Sequence, residues 1–182
     1  MQRRKFLTIS SLALSIGINS KASPIKKNSQ SFIVKSGNAR FGVHTPFMGV
    51  NANDVKISGK DTNGQLAVFE YVGTQKVGPS LHVHFEQDEI FTVIEGEYLF
   101  QVGQKKETLK AGDTIFLPRQ VPHTWIQLTD KGKLIYYLQP AGKMEEFFLT
   151  MNNLKERPSQ VVMDKIHAEH GMKVIGPPLS LR

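Results

Sequence analysis

A chain of 182 residues without cysteine excludes disulfide bonds, thiolate metal ligands and a cysteine nucleophile. Its 23 lysines and arginines outnumber 16 aspartates and glutamates, which gives a formal charge of +7. Four of the basic residues and none of the acidic ones lie in residues 1–22. Residues 23–182 therefore hold 19 basic and 16 acidic residues, a formal charge of +3. Because no clustered basic face with interleaved aromatic residues remains, we expect no nucleic-acid partner.

Residues 1–22 have the pattern of a twin-arginine signal peptide. A charged start with the pair Arg3-Arg4 leads into an apolar stretch at residues 7–18 and then into a small-x-small cleavage pattern at residues 20–22. The apolar stretch is about 12 residues, too short to cross a bilayer as a mature helix. We therefore expect export to the periplasm or the exterior and no membrane association of the mature form. The alternative is an amphipathic or disordered basic tail.

The mature chain of about 160 residues fits one domain with a core large enough to stand alone. Residues 23–37 are rich in Ser, Lys and Asn, so residues 23–40 are expected to form a flexible arm, or an edge strand lent to a partner. We expect a barrel over residues 41–140 and a helical tail over residues 141–182.

Short alternating segments punctuated by Gly, Pro and Asp follow the arm, which is typical of an all-β barrel or jelly roll. Strands are predicted at Gln65–Gly73, Ser80–Phe85, Glu89–Glu95, Glu97–Val102, Lys105–Leu109, Thr114–Leu117, His123–Leu128 and Lys133–Gln139.

After Pro140 the apolar period changes from two residues to a helical one. Residues 143–155 are predicted as a first helix, which Pro158 ends, and residues 160–170 as a second helix stopped by Gly171. The two helices are expected to pack on the outside of the barrel or over one of its openings.

One motif carries two histidines and a glutamate. His82 and His84 occupy alternate positions of a predicted strand, so both imidazoles lie on one face. Glu89 follows His84 at an odd spacing, which a straight strand would place on the other face, and a turn or bulge through residues 85–88 would restore it. Alternation then continues to Gly96, which allows the strand to turn back.

A second motif runs from Gly112 through Pro118 to His123. Its glycine marks a turn, residues 118–122 a rigid loop, and His123, Trp125 and Gln127 share one face of the next strand.

Three imidazoles and a carboxylate form a ligand set that suits a divalent transition ion. Each member also has an ordinary interpretation: the His82/His84 pair as coincidence, Glu89 as a solvated loop acid, His123 as a half-buried strand histidine. The coincidence of spacing, glycines and strand patterning in two segments favours the metal site. His44, His167 and His170 lie outside both motifs, and surface or helix positions are expected for them.

The two motifs resemble those of the cupin superfamily. The first family motif is HxH, four residues, Glu, six residues and Gly, and this chain matches it with His82, His84, Glu89 and Gly96. In the second, Gly112, Pro118 and His123 match. The chain departs from the family where Gln120 replaces a glycine, where Gln127 replaces an asparagine, and where Gly78 stands only four residues before His82.

Within the superfamily, the run from Leu81 to Glu97 and the Gly-Pro-Pro-Leu at residues 176–179 are similar to single-barrel, quercetin-dioxygenase-like bacterial proteins. The resemblance implies an all-β fold, a cupin-type double-stranded β-helix (jelly-roll) barrel with two short C-terminal helices, and a homodimer. It further implies one divalent transition metal (Fe, Mn, Ni, Co, Cu or Zn) with the ligands His82, His84, Glu89 and His123.

In quercetinase-type enzymes the metal-bound glutamate also takes the substrate's proton, so the resemblance gives Glu89 a second role as catalytic base. Gln127 is a candidate hydrogen-bonding partner of the metal ligands. The residues expected either to line an aromatic cavity for a planar substrate or to form ordinary core are Phe91, Tyr98, Phe100, Trp125 and Tyr137.

Three function classes stay open, because one fold hosts all of them. The first, which the resemblance favours, is a metal-dependent dioxygenase acting with dioxygen on a flavonol-like or enolic aromatic small molecule. The second is a non-oxidative isomerase or lyase that uses the metal as a Lewis acid. The third is a small-molecule binder without turnover.

Overall fold

The structure is a computed structural model that describes residues 30–156 and 158–181. The segment predicted as a signal peptide, residues 1–22, lies outside the described residues, so export stays a prediction. The flexible arm and the homodimer likewise stay predictions. No helix among the described residues is long and apolar enough to cross a membrane.

Two antiparallel five-stranded sheets face each other. Sheet A has the strand order β1-β2-β9-β4-β7, with bounds β1 Ala52–Ile57, β2 Ala67–Gly73, β4 Asp88–Glu95, β7 Thr114–Leu117 and β9 Gly132–Gln139. Sheet B has the order β10-β3-β8-β5-β6, with bounds β3 Ser80–His84, β5 Glu97–Val102, β6 Lys105–Lys110, β8 His123–Gln127 and β10 Met172–Pro178.

The core lies between the sheets, because alternate residues of each strand point inward. In β4, Glu89, Phe91 and Val93 are buried while their neighbours are not, as the alternation predicts. Register pairs Phe91 with Tyr136 of β9, and Phe69 of β2 also pairs with Tyr136. With Tyr98, Phe100 and Trp125 from sheet B, these rings fill the interior.

Gly96 makes the connection from β4 to β5 as predicted. Its φ of +83° lies in the left-handed region, and a Cβ there would approach the Lys131 carbonyl oxygen to 2.5 Å. Only glycine meets both conditions without strain.

Two helices follow sheet A: α1 Met144–Asn152 and α2 Gln160–Glu169. Met144 is buried, and Phe147 and Phe148 pack against the core. Ser159 caps the N-terminus of α2 by accepting from the Val162 amide, and the positive φ of Gly171 ends the helix. Both helices lie where the sequence predicted them.

The fold class is confirmed as a double-stranded β-helix with two short helices. Across residues 30–156 and 158–181 the two sheets remain separate hydrogen-bonded units, so they form a jelly roll and not a closed barrel. The sequence patterns missed β1 and β10. Both are edge strands, and β10 ends in Pro177-Pro178, which lack the amide protons that a central strand needs.

Candidate metal centre

The structure brings His82, His84, Glu89 and His123 together between the two sheets. The first two come from β3, Glu89 from the start of β4, and His123 from the start of β8. His82 and His123 are register partners, and the predicted break after His84 is present as a turn. One ligand atom from each of the four lies within 4.8 Å of the others.

The carboxylate of Glu89 lies between two imidazoles. Its Oε1 is 3.5 Å from His84 Nε2, and its Oε2 is 3.2 Å from His123 Nε2. His84, His123 and Glu89 are buried, whereas His82 is only partly buried. The cluster as a whole is buried.

A hydrogen bond at Nδ1 orients each imidazole. His82 donates to the Ser80 carbonyl oxygen over 2.8 Å, and His123 donates to the Val121 carbonyl oxygen over 3.0 Å. His84 donates to Oε1 of Gln87 over 3.2 Å. Since a carbonyl oxygen can only accept, Nδ1 carries the proton and Nε2 keeps its lone pair.

The Nε2 atoms of His84 and His123 are buried and have no hydrogen-bond partner. Such orphaned buried acceptors are costly in an ordinary core, but they are what a metal ion requires. With the Glu89 carboxylate beside them, the residues present fit one divalent transition ion, whose identity imidazole and carboxylate ligands do not select.

The electrostatics favour the protonation states that a metal needs. Burial lowers the pKa of His82, and His123 and His84 lower it further, against the opposing charge of Glu89. Burial also lowers the pKa of His84. For Glu89, burial raises the pKa, but His84, His123 and His82 together lower it more. Burial thus disfavours the protonated imidazoles of His82 and His84, and the histidines favour the ionised carboxylate of Glu89.

Of the residues expected near the site, Phe91, Tyr98, Phe100 and Trp125 all belong to the buried core. Tyr137 does not face the interior. It lies on the outer face of β9, and its neighbour Tyr136 occupies the inner position. Neighbouring residues of a strand point to opposite faces of the sheet, so Tyr136 faces inward and Tyr137 outward.

Gln127 does not contact the imidazoles. Its Nε2 donates to the Gly73 and Thr129 carbonyl oxygens, and its Oε1 accepts from the Tyr71 hydroxyl. It therefore ties strands together at the other end of the interior. The imidazole of His84 is hydrogen-bonded instead to Gln87, which the sequence marked only as part of a polar turn.

The loop before His123 has glutamine at position 120 in a backbone conformation that favours glycine. The φ of Gln120, +64°, lies in the left-handed region. Glycine adopts this conformation freely, whereas a residue with a side chain adopts it at a cost of about 1–2 kcal/mol. The amide of Gln120 donates to the His84 carbonyl oxygen over 2.7 Å. The loop therefore reaches the site although glutamine stands in place of glycine.

The remaining described histidines lie outside the cluster. His44 pairs with Asp54 at 2.8 Å, while His167 and His170 belong to the end of α2, where both rings lie against Phe147.

Comparison with known proteins supports the cupin superfamily. Residues 68–138 match the family model described as a cupin domain. Among curated proteins, an uncharacterized protein of Methanocaldococcus jannaschii is 40% identical over 43 residues, a match that covers 24% of this chain and 34% of the relative. That match thus spans about a third of the relative's length.

Solved structures share the fold. An RmlC-like cupin from Shewanella frigidimarina is 21% identical, with a TM-score of 0.51 over 62% of this chain and 93% of that one. A predicted oxalate decarboxylase from Thermotoga maritima is 14% identical, with a TM-score of 0.52 over 60% of this chain and 99% of that one. KdgF from Halomonas sp. is 15% identical, with a TM-score of 0.51 over 62% of this chain and 94% of that one. At these identities the likeness shows the fold alone.

Proposed function

Starting from the cupin domain and its histidine and glutamate cluster, we propose that the protein binds one divalent transition metal and acts as a dioxygenase of quercetinase type. The metal would be held by His82, His84, Glu89 and His123. The observation that carries the metal site is the pair of buried, unpartnered Nε2 atoms of His84 and His123 beside the Glu89 carboxylate. The oxidative chemistry and a flavonol-like or enolic aromatic substrate are supported by the motif resemblance.

A divalent transition ion held by His82, His84, Glu89 and His123 would supply a Lewis-acid centre for the reaction. The chain's own residues prepare that chemistry. The hydrogen bonds at Nδ1 hold the imidazoles in place, so little reorganisation is needed when the ion binds.

Glu89 is suited to act as a base. Its carboxylate lies beside the Nε2 atoms of His84 and His123, where it would accept the proton of an enolic hydroxyl brought within hydrogen-bond reach. A small molecule would approach the cluster from the side of His82, which is partly exposed as a residue. Tyr136, whose buried ring stacks on that of Phe91, lies near enough to Glu89 for the carboxylate to raise its pKa.

The ligand assignment is tested by elemental analysis of the purified protein. We expect about one transition ion per chain in the wild type and nearly none in His123→Ala, because an incomplete ligand set binds divalent ions far more weakly. Circular dichroism of the variant should be unchanged, since the aromatic core does not depend on this imidazole. His44→Ala, which removes a histidine outside the cluster, is the matched control and should keep the metal. Equal metal content in wild type and His123→Ala would contradict the assignment.

The reaction class is tested by oxygen uptake of the metal-loaded protein with flavonols and smaller enols. Dioxygen consumption with product release supports the dioxygenase. Turnover that proceeds equally without oxygen contradicts it in favour of a metal-dependent isomerase or lyase. Tight binding of the compound without any product contradicts it in favour of a binding protein.

A further inference from the structure

His84 differs from the other two imidazoles in what holds its Nδ1. His82 and His123 each donate to a carbonyl oxygen two residues earlier in their own segment. His84 donates to a side chain, Oε1 of Gln87. Since a glutamine side chain can rotate where a local carbonyl cannot, the orientation of His84 depends on what holds Gln87.

Gln87 is held by the start of the C-terminal tail, defined here as residues 141–178. Its Nε2 donates to the Ala141 carbonyl oxygen over 2.9 Å, and the side chain is buried, with 3% exposure. Rotating the amide by half a turn would set its oxygen against the Ala141 carbonyl and its amino group against His84. The contact with Ala141 therefore directs Oε1 to His84 and leaves the imidazole Nε2 free for the metal.

Close packing reinforces the contact. Gly142 has a φ of +55°, and a Cβ at this position would lie 2.0 Å from Gln87 Nε2. The backbone of the tail thus closes directly onto the amide, with no room for a side chain.

The far end of the tail contacts the same turn. The Phe85 amide donates to the Gly171 carbonyl oxygen over 3.0 Å, and Met172 of β10 is the register partner of His84. Residues 141–142 and 171–172 therefore lie on both sides of the turn that follows His84.

We propose that Gln87 is a positioning residue that couples docking of the C-terminal tail to the metal centre. The tail must be docked for His84 to present Nε2 to the ion, and by reciprocity metal binding stabilises the docked tail. This coupling rests on the proposed metal binding at the cluster. It assigns the tail a role in metal retention beyond covering the core.

The first measurement is a titration of the metal-free protein with Co²⁺, monitored by the visible spectrum of the bound ion. The second is hydrogen exchange of the backbone amides of residues 141–172, measured before and after loading with Co²⁺. Gln87→Met keeps the volume of the side chain and removes both hydrogen bonds. We expect its cobalt affinity to fall about 10–100-fold, its spectrum to change, and its tail amides to gain no protection on loading. Wild-type tail amides should gain protection.

Gln127→Met is the matched control, because Gln127 is equally buried and hydrogen-bonded but contacts no imidazole. It should bind cobalt with wild-type affinity and spectrum even if its stability falls. Gln87→Glu separates the two contacts: the carboxylate still accepts from His84 but repels the Ala141 oxygen. We expect a spectrum close to that of the wild type with loss of the cobalt-dependent tail protection.

A wild-type affinity and spectrum in Gln87→Met would overturn the coupling while leaving the metal site standing. If that variant does not fold, Gln87→Glu decides, and unchanged tail protection in it would overturn the coupling. A wild-type protein that binds no cobalt would overturn both the coupling and the proposed function, so the two failures are distinguishable.

Discussion

Tyr136 links the aromatic core to the histidine and glutamate cluster. Its ring is stacked between those of Phe69 and Phe91, at 4.9 Å from each centroid, and its hydroxyl donates to Asn53 Oδ1 over 2.7 Å. Burial raises the pKa of Tyr136 well above its ordinary value, and the charge of Glu89 raises it further. The phenol therefore stays protonated and remains a hydrogen-bond donor beside the cluster.

Tyr136→Phe keeps the stacked ring and removes only the hydroxyl. Asn53 Nδ2 is already buried without a partner, so the variant would leave Asn53 Oδ1 without its donor as well. We expect a loss of about 1–3 kcal/mol in the free energy of unfolding, measured in urea. In the double variant Asn53→Ala/Tyr136→Phe the two losses should not add, because the residues share one hydrogen bond. Full additivity would contradict this account.

Sheet A is joined across its strands by an ion-pair network. Lys56 of β1 lies 2.9 Å from Glu70 Oε1, and Lys133 of β9 lies 3.3 Å from Glu70 Oε2 on β2. Burial raises the pKa of Glu70, but Lys56 and Lys133 lower it more, so the net shift from 4.5 is downward. The network therefore favours the ionised carboxylate in the folded state.

Glu70→Gln should destabilise the protein in a pH-dependent way. A carboxyl group whose pKa is lower in the folded state contributes stability above its unfolded value of 4.5, and this stability is lost as the pH falls through the folded value. Near pH 7 we expect the variant to lose about 0.5–1 kcal/mol in the free energy of unfolding, a small loss because solvent partly screens the ion pairs. In acid the free energies of unfolding of the two proteins should converge. Urea unfolding of both proteins, near pH 7 and in acid, measures this difference in stability. The control is Glu107→Gln at an exposed position of β6, and a pH-independent loss in Glu70→Gln would refute the network.

The whole molecule should be stabilised by the proposed metal ion. A ligand that binds only the folded state adds about 2.7 kcal/mol at a free concentration of 100 times its Kd. For a chain of this size we expect Tm to rise by roughly 5–10 °C when cobalt or nickel is added to the metal-free protein, and to fall again with a chelator. Differential scanning calorimetry checks this, with His123→Ala as the variant that should not respond. An equal rise in both proteins would point to binding elsewhere.

The sequence by itself determined the features that depend on local periodicity. Alternation in β4 placed Glu89, Phe91 and Val93 inward, and motif spacing selected the four residues that the structure brings together. Glycine at position 96 predicted the turn from β4 to β5, and the change of period after Pro140 predicted both helices. These features follow from neighbouring residues alone, since strand and helix periods fix which side chains share a face.

Only the tertiary structure decided the pairing of the edge strands β1 and β10 and the inner position of Tyr136 in place of Tyr137. It also showed that Gln87 and not Gln127 is hydrogen-bonded to an imidazole of the cluster. The physical reason is the same in each case. Edge pairing, strand register and the direction of a buried amide are set by hydrogen-bond partners distant in the chain, such as Ala141 for Gln87, and local propensity carries no information about those partners.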